Sequence, residues 1–315
     1  MKPDNGDSKN LYLHFKKNGS ASGRHVLVLG EVLWDLFPSS VRLGGAALNF
    51  AAHIKRLGHE PLLVSAVGTD ELGDEAIQAI TTLCLDPTFL QKTERFKTGT
   101  AAVQLGPGDQ TSFVIERPAA YDAVQLSARE IDQIIKWQPE WLYYGTLFSS
   151  SVTGTDVLRR LLDSLPQAKR FYDLNLRPGS DSPDLVIELL RAANVVKLNE
   201  EELRSVHQFT GLPADTEAFC RAGVERFGWS AVCVTLGARG CAMLAAGEYV
   251  EANGYRVDVA DTVGAGDAFA AAFVHGIASN RPVAEIAEFS NRVGALVASV
   301  HGAIPNWTIE EVVDL

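Results

Sequence analysis

At 315 residues the chain exceeds the roughly 250–300 residues over which a single core stays undivided, so one large domain with an appendage is expected. Acidic residues outnumber basic ones, 39 to 28, for a formal charge of −11, and no basic block offers a track for a phosphate backbone, which argues against a nucleic-acid partner. A hydrophobic fraction of 46% is ordinary for a globular protein; the first 22 residues are polar, with no apolar core of a signal peptide or span, so a cytoplasmic protein without a membrane partner is expected.

His25–Gly30 is a short apolar run ending in glycine, the pattern of a buried strand. It follows a polar extension, residues 1–23, in which only Leu11–Phe15 has strand character. Residues 49–57 read as a helix, 61–67 as a strand, and 70–83 as a helix with Asp70 as N-cap. Two β-type runs, 100–105 and 111–116, flank Gly-Pro-Gly-Asp-Gln, a hairpin signal that interrupts the strand–helix alternation. The alternation resumes with strands at 141–144, 170–173, 195–198 and 231–235. Helices are expected at 127–136, 153–165, 183–192 and 216–227, and the chain ends in Ala- and Gly-rich helices over 264–279 and 282–300. Repeated strand–helix units imply a mostly parallel, doubly wound α/β sheet covered on both faces, with a small β lid inserted from segments 36–45 and 98–117 into a domain of residues 24–315. The four cysteines have no metal-ligand spacing; Cys84, Cys233 and Cys241 sit among apolar neighbours, as free core thiols in a reducing compartment do.

The segment Asp261-Thr-Val-Gly264-Ala265-Gly266-Asp267-Ala-Phe opens an apolar helix. Glycines on both sides of Ala265 permit a tight turn whose N–H groups converge, and with the first helical turn they form a place for a phosphoryl group. A carboxylate at Asp267 stays ionised there and could accept a proton from an attacking hydroxyl; equally, Asp267 could serve only the helix start. No G-x-x-x-x-G-K-[ST] string is present, so a P-loop is not the device.

The nonapeptide resembles the C-terminal signature of the ribokinase-like (PfkB) carbohydrate kinases. The resemblance implies a three-layer ribokinase-like fold, Asp267 as catalytic base, and the amides of Gly264, Ala265 and Gly266 as anion hole. Gly44-Gly45-Ala-Ala-Leu-Asn49 resembles the family's N-terminal signature, which implies sugar contact by Gly44, Gly45 and Asn49; by chemistry alone the glycines let backbone approach a ligand, and Asn49 could equally cap a turn. Gly30-Glu31-Val-Leu-Trp-Asp35 puts Asp35 just beyond the first strand, at the ligand edge of an open sheet, where the family's Asp grips two sugar hydroxyls. Asp173-Leu-Asn175-Leu-Arg177-Pro178 resembles a fructokinase segment, implying Arg177 near the transferred phosphoryl group or the sugar; a structural ion pair is the alternative. Asn199-Glu-Glu-Glu202 resembles the motif that orders water and Mg²⁺ near the phosphates, and doubles as a capping box. Thr235-Leu-Gly237-Ala-Arg-Gly240 resembles the nucleotide loop, and Asn291 falls where the family contacts adenine. Asp261, with the carbonyls of Val263 and Gly302, resembles a monovalent-cation site suited to K⁺.

Together these segments run from about Val26 to Pro305. They imply ATP-dependent phosphorylation of a sugar, with fructose favoured and 2-keto-3-deoxygluconate or a nucleoside as alternatives, ATP and Mg²⁺ as cofactors, K⁺ as a third, and a homodimer through the lid. The lid hairpin, with Val103, Phe113 and Ile115, is expected to close over the sugar and exclude water. A non-catalytic sensor is disfavoured by the retained Asp267, and a dehydrogenase by the lack of G-x-G-x-x-G after the first strand.

Overall fold

The computed structural model describes residues 23–38, 40–105, 111–177 and 182–315, with backbone alone at 103–105 and 111–113. The extension at 1–22 with its expected strand, the hairpin turn at 106–110, Pro178, and the side chains of Val103 and Phe113 lie outside the described residues. The described residues separate into two compact units, one within 25–52 and 61–192 and one within 23–24, 53–60 and 193–315.

In the N-terminal unit the strands are β1 (His25–Leu29), β2 (Leu33–Phe37), β3 (Ser40–Gly44), β4 (Glu60–Gly68), β5 (Leu90–Thr93), β6 (Gly99–Leu105), β7 (Thr111–Ile115), β8 (Trp141–Gly145) and β9 (Lys169–Asp173). The helices are α1 (Ala46–Arg56), α2 (Glu71–Thr82), α3 (Ala128–Trp137), α4 (Thr146–Ser149), α5 (Val152–Ser164) and α6 (Pro183–Ala192). One sheet runs in the order β9-β8-β1-β4-β5, with β1–β8, β8–β9 and β4–β5 parallel. Its strands are apolar almost without a break because both faces are buried: Val26 through Leu29 and Trp141 through Tyr144 are all inside. Phe50 of α1 stacks on Tyr143 at 4.3 Å between centroids, which fixes the helix over the sheet. Asp70 caps α2 as its sequence position predicts, accepting the Gly73 N–H at 2.9 Å.

The second sheet has the order β3-β2-β6-β7, with β2–β3 and β6–β7 antiparallel and β2–β6 parallel. It lies where a lid is expected; Asp35, just beyond β1, stands inside the unexpected strand β2, paired with Arg42 on one side and Ala101 on the other. Cys84 also departs from expectation. It is exposed, just past α2, at φ 58°, and the left-handed turn carries it out of the core that holds Cys220, Cys233 and Cys241.

In the C-terminal unit the strands are β10 (Val195–Asn199), β11 (Ala231–Thr235), β12 (Gly240–Ala245) and β13 (Glu248–Asn253), in the order β13-β12-β11-β10. Only β10–β11 is parallel; β11–β12 and β12–β13 are antiparallel. This edge hairpin was not expected from the sequence. Its two-residue turn is Ala246-Gly247, with φ of 49° and 82°, the paired positive values that suit the twist of a tight hairpin. The helices are α7 (Glu200–Thr210), α8 (Thr216–Phe227), α9 (Ala265–Ala278), α10 (Val283–Ala298) and α11 (Ile309–Asp314). Small residues let α9 and α10 approach closely: a Cβ on Gly276 would lie 2.7 Å from the Ile286 side chain. No helix among the described residues is long and apolar enough to cross a membrane.

Candidate active site

Gly264 is the N-cap of α9, at φ 79°, a conformation open to glycine, and it carries no side chain to cap the helix. A Cβ there would stand 2.5 Å from the Ala303 carbonyl oxygen, so the turn is pressed directly on Ala303. The N-cap glycine offers no side-chain acceptor to the first turn, where the Ala265 N–H donates to the Thr262 carbonyl at 3.4 Å and the Asp267 N–H to the Gly264 carbonyl at 3.1 Å. Half-buried Asp267 lies in that first turn. The Lys197 ammonium, on β10 and buried, is 3.6 Å from where a Gly266 Cβ would be. A helix start without a side-chain cap, its dipole and an ammonium together favour an anion.

Other predicted residues of this unit have definite duties. Asn199 and Glu202 form a reciprocal box at the start of α7: Asn199 Oδ1 accepts the Glu202 N–H at 2.9 Å, and Glu202 accepts the Asn199 N–H at 2.7 Å. Thr235 ends β11, and Gly237 and Gly240 follow at φ of 61° and 105°. Asn291 donates to the Ala252 and Asn253 carbonyls at 3.3 Å each, which ties α10 to the end of β13. The Asp261 carboxylate accepts the Val263 N–H at 3.0 Å and the Gly302 N–H at 3.2 Å, so the three residues named for a cation do gather. Among the described residues no group of three His, Cys, Asp or Glu is arranged to hold a metal ion.

In the N-terminal unit the second group assembles around Glu31. This buried carboxylate accepts the Ala46 N–H at 2.8 Å, holding the start of α1. Burial pushes its pKa up, while backbone donors and the Arg177 charge pull it down without cancelling the rise. Gly45, at φ 107°, passes so close that a Cβ would come within 2.5 Å of the Glu31 carbonyl oxygen; one on Gly44 would be 2.5 Å from Asp35 Oδ2. The glycine pair therefore lets the β3–α1 turn lie against Glu31 and Asp35. Asn49 is buried one turn into α1. Arg177 ends the Asp173–Arg177 segment, in which Asn175 has φ 41°, and it acts on Glu31 by charge.

The sequence pattern that describes pfkB family carbohydrate kinases matches residues 36–309. The chain belongs to the PfkB family. It is 30% identical to a fructokinase of Escherichia coli over 298 residues, 89% of this chain and 94% of that one. It is 28% identical to a putative sugar kinase of Pyrococcus horikoshii, over 87% of this chain and 90% of the other. Among solved structures it resembles a Vibrio cholerae fructokinase crystallised with fructose, ADP and calcium, with a TM-score of 0.77 and 25% identity, covering 90% and 95% of the two chains. The mixed α/β architecture is thus the ribokinase-like one, and the protein is an ATP-dependent sugar kinase.

Sequence reasoning overlooked several residues of this PfkB kinase. Lys197 had a readable signal, since a lysine inside Val-Val-Lys-Leu must find a partner when buried. Glu31 had a similar one, lying in an apolar stretch before Asp35. His53 had none. It is fully buried and holds the segment under Gly264: its Nε2–H donates to the Ala303 carbonyl at 2.9 Å, and its Nδ1 accepts the Trp307 indole N–H at 3.1 Å. Burial, and then the nearby Arg56 charge, lower its pKa to about 4 against the Ala303 bond. Unfolded, the ring protonates near 6.5, so between these values the unfolded chain binds more protons and stability falls as pH falls. The loss approaches roughly 3 kcal/mol by pH 4. His53→Gln keeps an acceptor for Trp307 and a donor for Ala303 but does not titrate. Urea denaturation of both proteins should therefore agree in slope with pH above 7 and diverge below 6.5, the wild type losing more; parallel curves would remove His53 as the cause.

Proposed function

We propose that this sugar kinase phosphorylates fructose on its 6-hydroxyl, with Asp267 as general base and the Gly264–Gly266 amides as the anion hole. The observation that carries the chemical part is the α9 start: a carboxylate in the first turn of a helix whose N-cap is glycine, beside a buried ammonium. Such a start holds the negative oxygens of a γ-phosphoryl group with donors already in place, and phosphoryl transfer depends mainly on that kind of positioning and charge stabilisation. As the sugar oxygen bonds to phosphorus, its proton passes to Asp267 and the bond to ADP breaks. Asp35, with the Gly44–Gly45 turn against it, accepts hydrogen bonds from sugar hydroxyls, and Asn49 adds a donor and an acceptor. Arg177 serves the sugar or the transferred group with its fixed positive charge.

Thr235, Gly237, Gly240 and Asn291 border the nucleotide in this reading, and Asn291 then acts largely by fixing the β13 end. Mg²⁺ supplies charge neutralisation on the phosphates when bound; since Glu202 already accepts a backbone N–H, it fits contact through water better than direct ligation. The Asp261 loop, already curled by two N–H bonds to one carboxylate, fits a K⁺ bound by Asp261 and the Val263 and Gly302 carbonyls. A homodimer through the lid is supported by Val41 and Val114, which are 52% and 50% exposed in one ladder row with Leu36 and Ala102; a monomer mass by light scattering at assay concentration would end that reading.

The fructose assignment draws on the fructokinase relatives. ADP release measured across fructose, ribose, 2-keto-3-deoxygluconate and nucleosides tests it. Fructose should give the highest kcat/KM; preference for any other acceptor would overturn the substrate while leaving the kinase.

A further inference from the structure

Tyr121 belongs to the short turn Ala120–Ala123 after the lid strands, and its side chain is wholly buried. Its ring lies on the lid sheet: a Cβ on Gly99 would come within 2.7 Å of the ring and 3.1 Å of Leu33 Cβ. Gly99 pairs with Leu33 across the β2–β6 ladder, and Ala101 with Asp35. Residues two apart on a strand point to the same face, about 7 Å apart. Tyr121 and the Asp35 carboxylate thus share one face of the lid, one ladder step apart. Glu31 reaches the same place, since its charge, after burial and the Asp122 charge, raises the phenol's pKa. The phenol itself is a donor at cytoplasmic pH.

That phenol has no hydrogen-bond partner among the described residues, although its oxygen is buried. Nearly all buried polar groups in native proteins are satisfied by protein, water or ligand, so an orphan calls for a cause. Packing does not supply one: phenylalanine would make the same ring contacts with Gly99 and with the Arg117 guanidinium, which lies 5.9 Å from the ring centroid.

We propose that Tyr121 is a specificity-determining residue, its phenol donating a hydrogen bond to a sugar hydroxyl one ladder step from the hydroxyls gripped by Asp35. This rests on the sugar-kinase reading and on Asp35 as a sugar contact. The phenol discriminates against sugars that lack or invert that one hydroxyl, because a substrate that cannot accept leaves the donor stranded.

The test is Tyr121→Phe, assayed with the preferred sugar and its monodeoxy analogues. The variant should keep the wild-type melting temperature or exceed it, since it loses only an orphan. Its sugar KM should rise about tenfold, the worth of one neutral hydrogen bond at its upper range, with kcat and the KM for ATP unchanged. One monodeoxy sugar should suffer that same factor with the wild type and nothing further with the variant, closing a cycle. An unchanged sugar KM, or losses that multiply for every analogue, would overturn the proposal and leave the phenol bonded to water. A wild-type chain that phosphorylates no sugar would instead overturn the reading beneath it, before any variant is compared.

Discussion

Asp267→Ala is expected to lower kcat by about 10²–10⁴-fold, the range over which a positioned general base acts, while ATP binding measured by calorimetry stays within a few-fold of wild type. The size of the effect separates two roles that the position allows. As a helix-start carboxylate alone, Asp267 would contribute about 0.3–1 kcal/mol to stability through the dipole and nothing to turnover. Its half-buried place in the first turn of α9 fits both roles, but only proton transfer predicts an activity loss far larger than the stability loss. Asp267→Asn sharpens the contrast, because the amide keeps the shape and an acceptor for the helix start but cannot take the proton. It should be as inactive as the alanine variant and more stable. A variant that keeps more than about a tenth of wild-type turnover would be below the lower bound for a base and would assign the residue to the helix start.

The α9 start was legible in the sequence because its chemistry is written in backbone permissions. Gly264 must be glycine at φ 79° with Ala303 pressed on it, and such a need leaves a local trace. The alternating strands and helices were legible for the same reason: β1, β8, β10 and β11 are apolar runs of strand length that end near polar or glycine residues. What escaped was set by long-range contact. The strand that carries Asp35 went unread because it is made by Gly99–Ala102 of β6, more than sixty positions on, pairing with Leu33–Leu36. His53 looks like any helix residue until Trp307 and Ala303, some 250 positions away, take both of its nitrogens. The Cys84 expectation failed because apolar neighbours in sequence do not say which way a left-handed residue turns its side chain.

Asp35→Ala should raise the sugar KM by roughly a hundredfold or more, since hydrogen bonds to a charged group are worth about 1.5–3 kcal/mol each and a carboxylate accepts at least two. The kcat at saturating sugar separates binding from orientation. If Asp35 only holds the sugar, kcat stays within a few-fold; if its grip also aims the acceptor hydroxyl, kcat falls with kcat/KM, because that interaction is then stronger in the transition state. The melting temperature of Asp35→Ala, measured beside the kinetics, separates loss of sugar contact from loss of fold, since Asp35 is buried in β2. Gly44→Ala provides the independent arm. Its new Cβ would lie 2.5 Å from Asp35 Oδ2, so the carboxylate must move while its charge remains. Both variants should raise the sugar KM and leave the KM for ATP alone, with Gly44→Ala the milder. An Asp35→Ala enzyme with an unaltered sugar KM would take this carboxylate out of the sugar site and leave it a role in the β2–β3 pairing with Arg42.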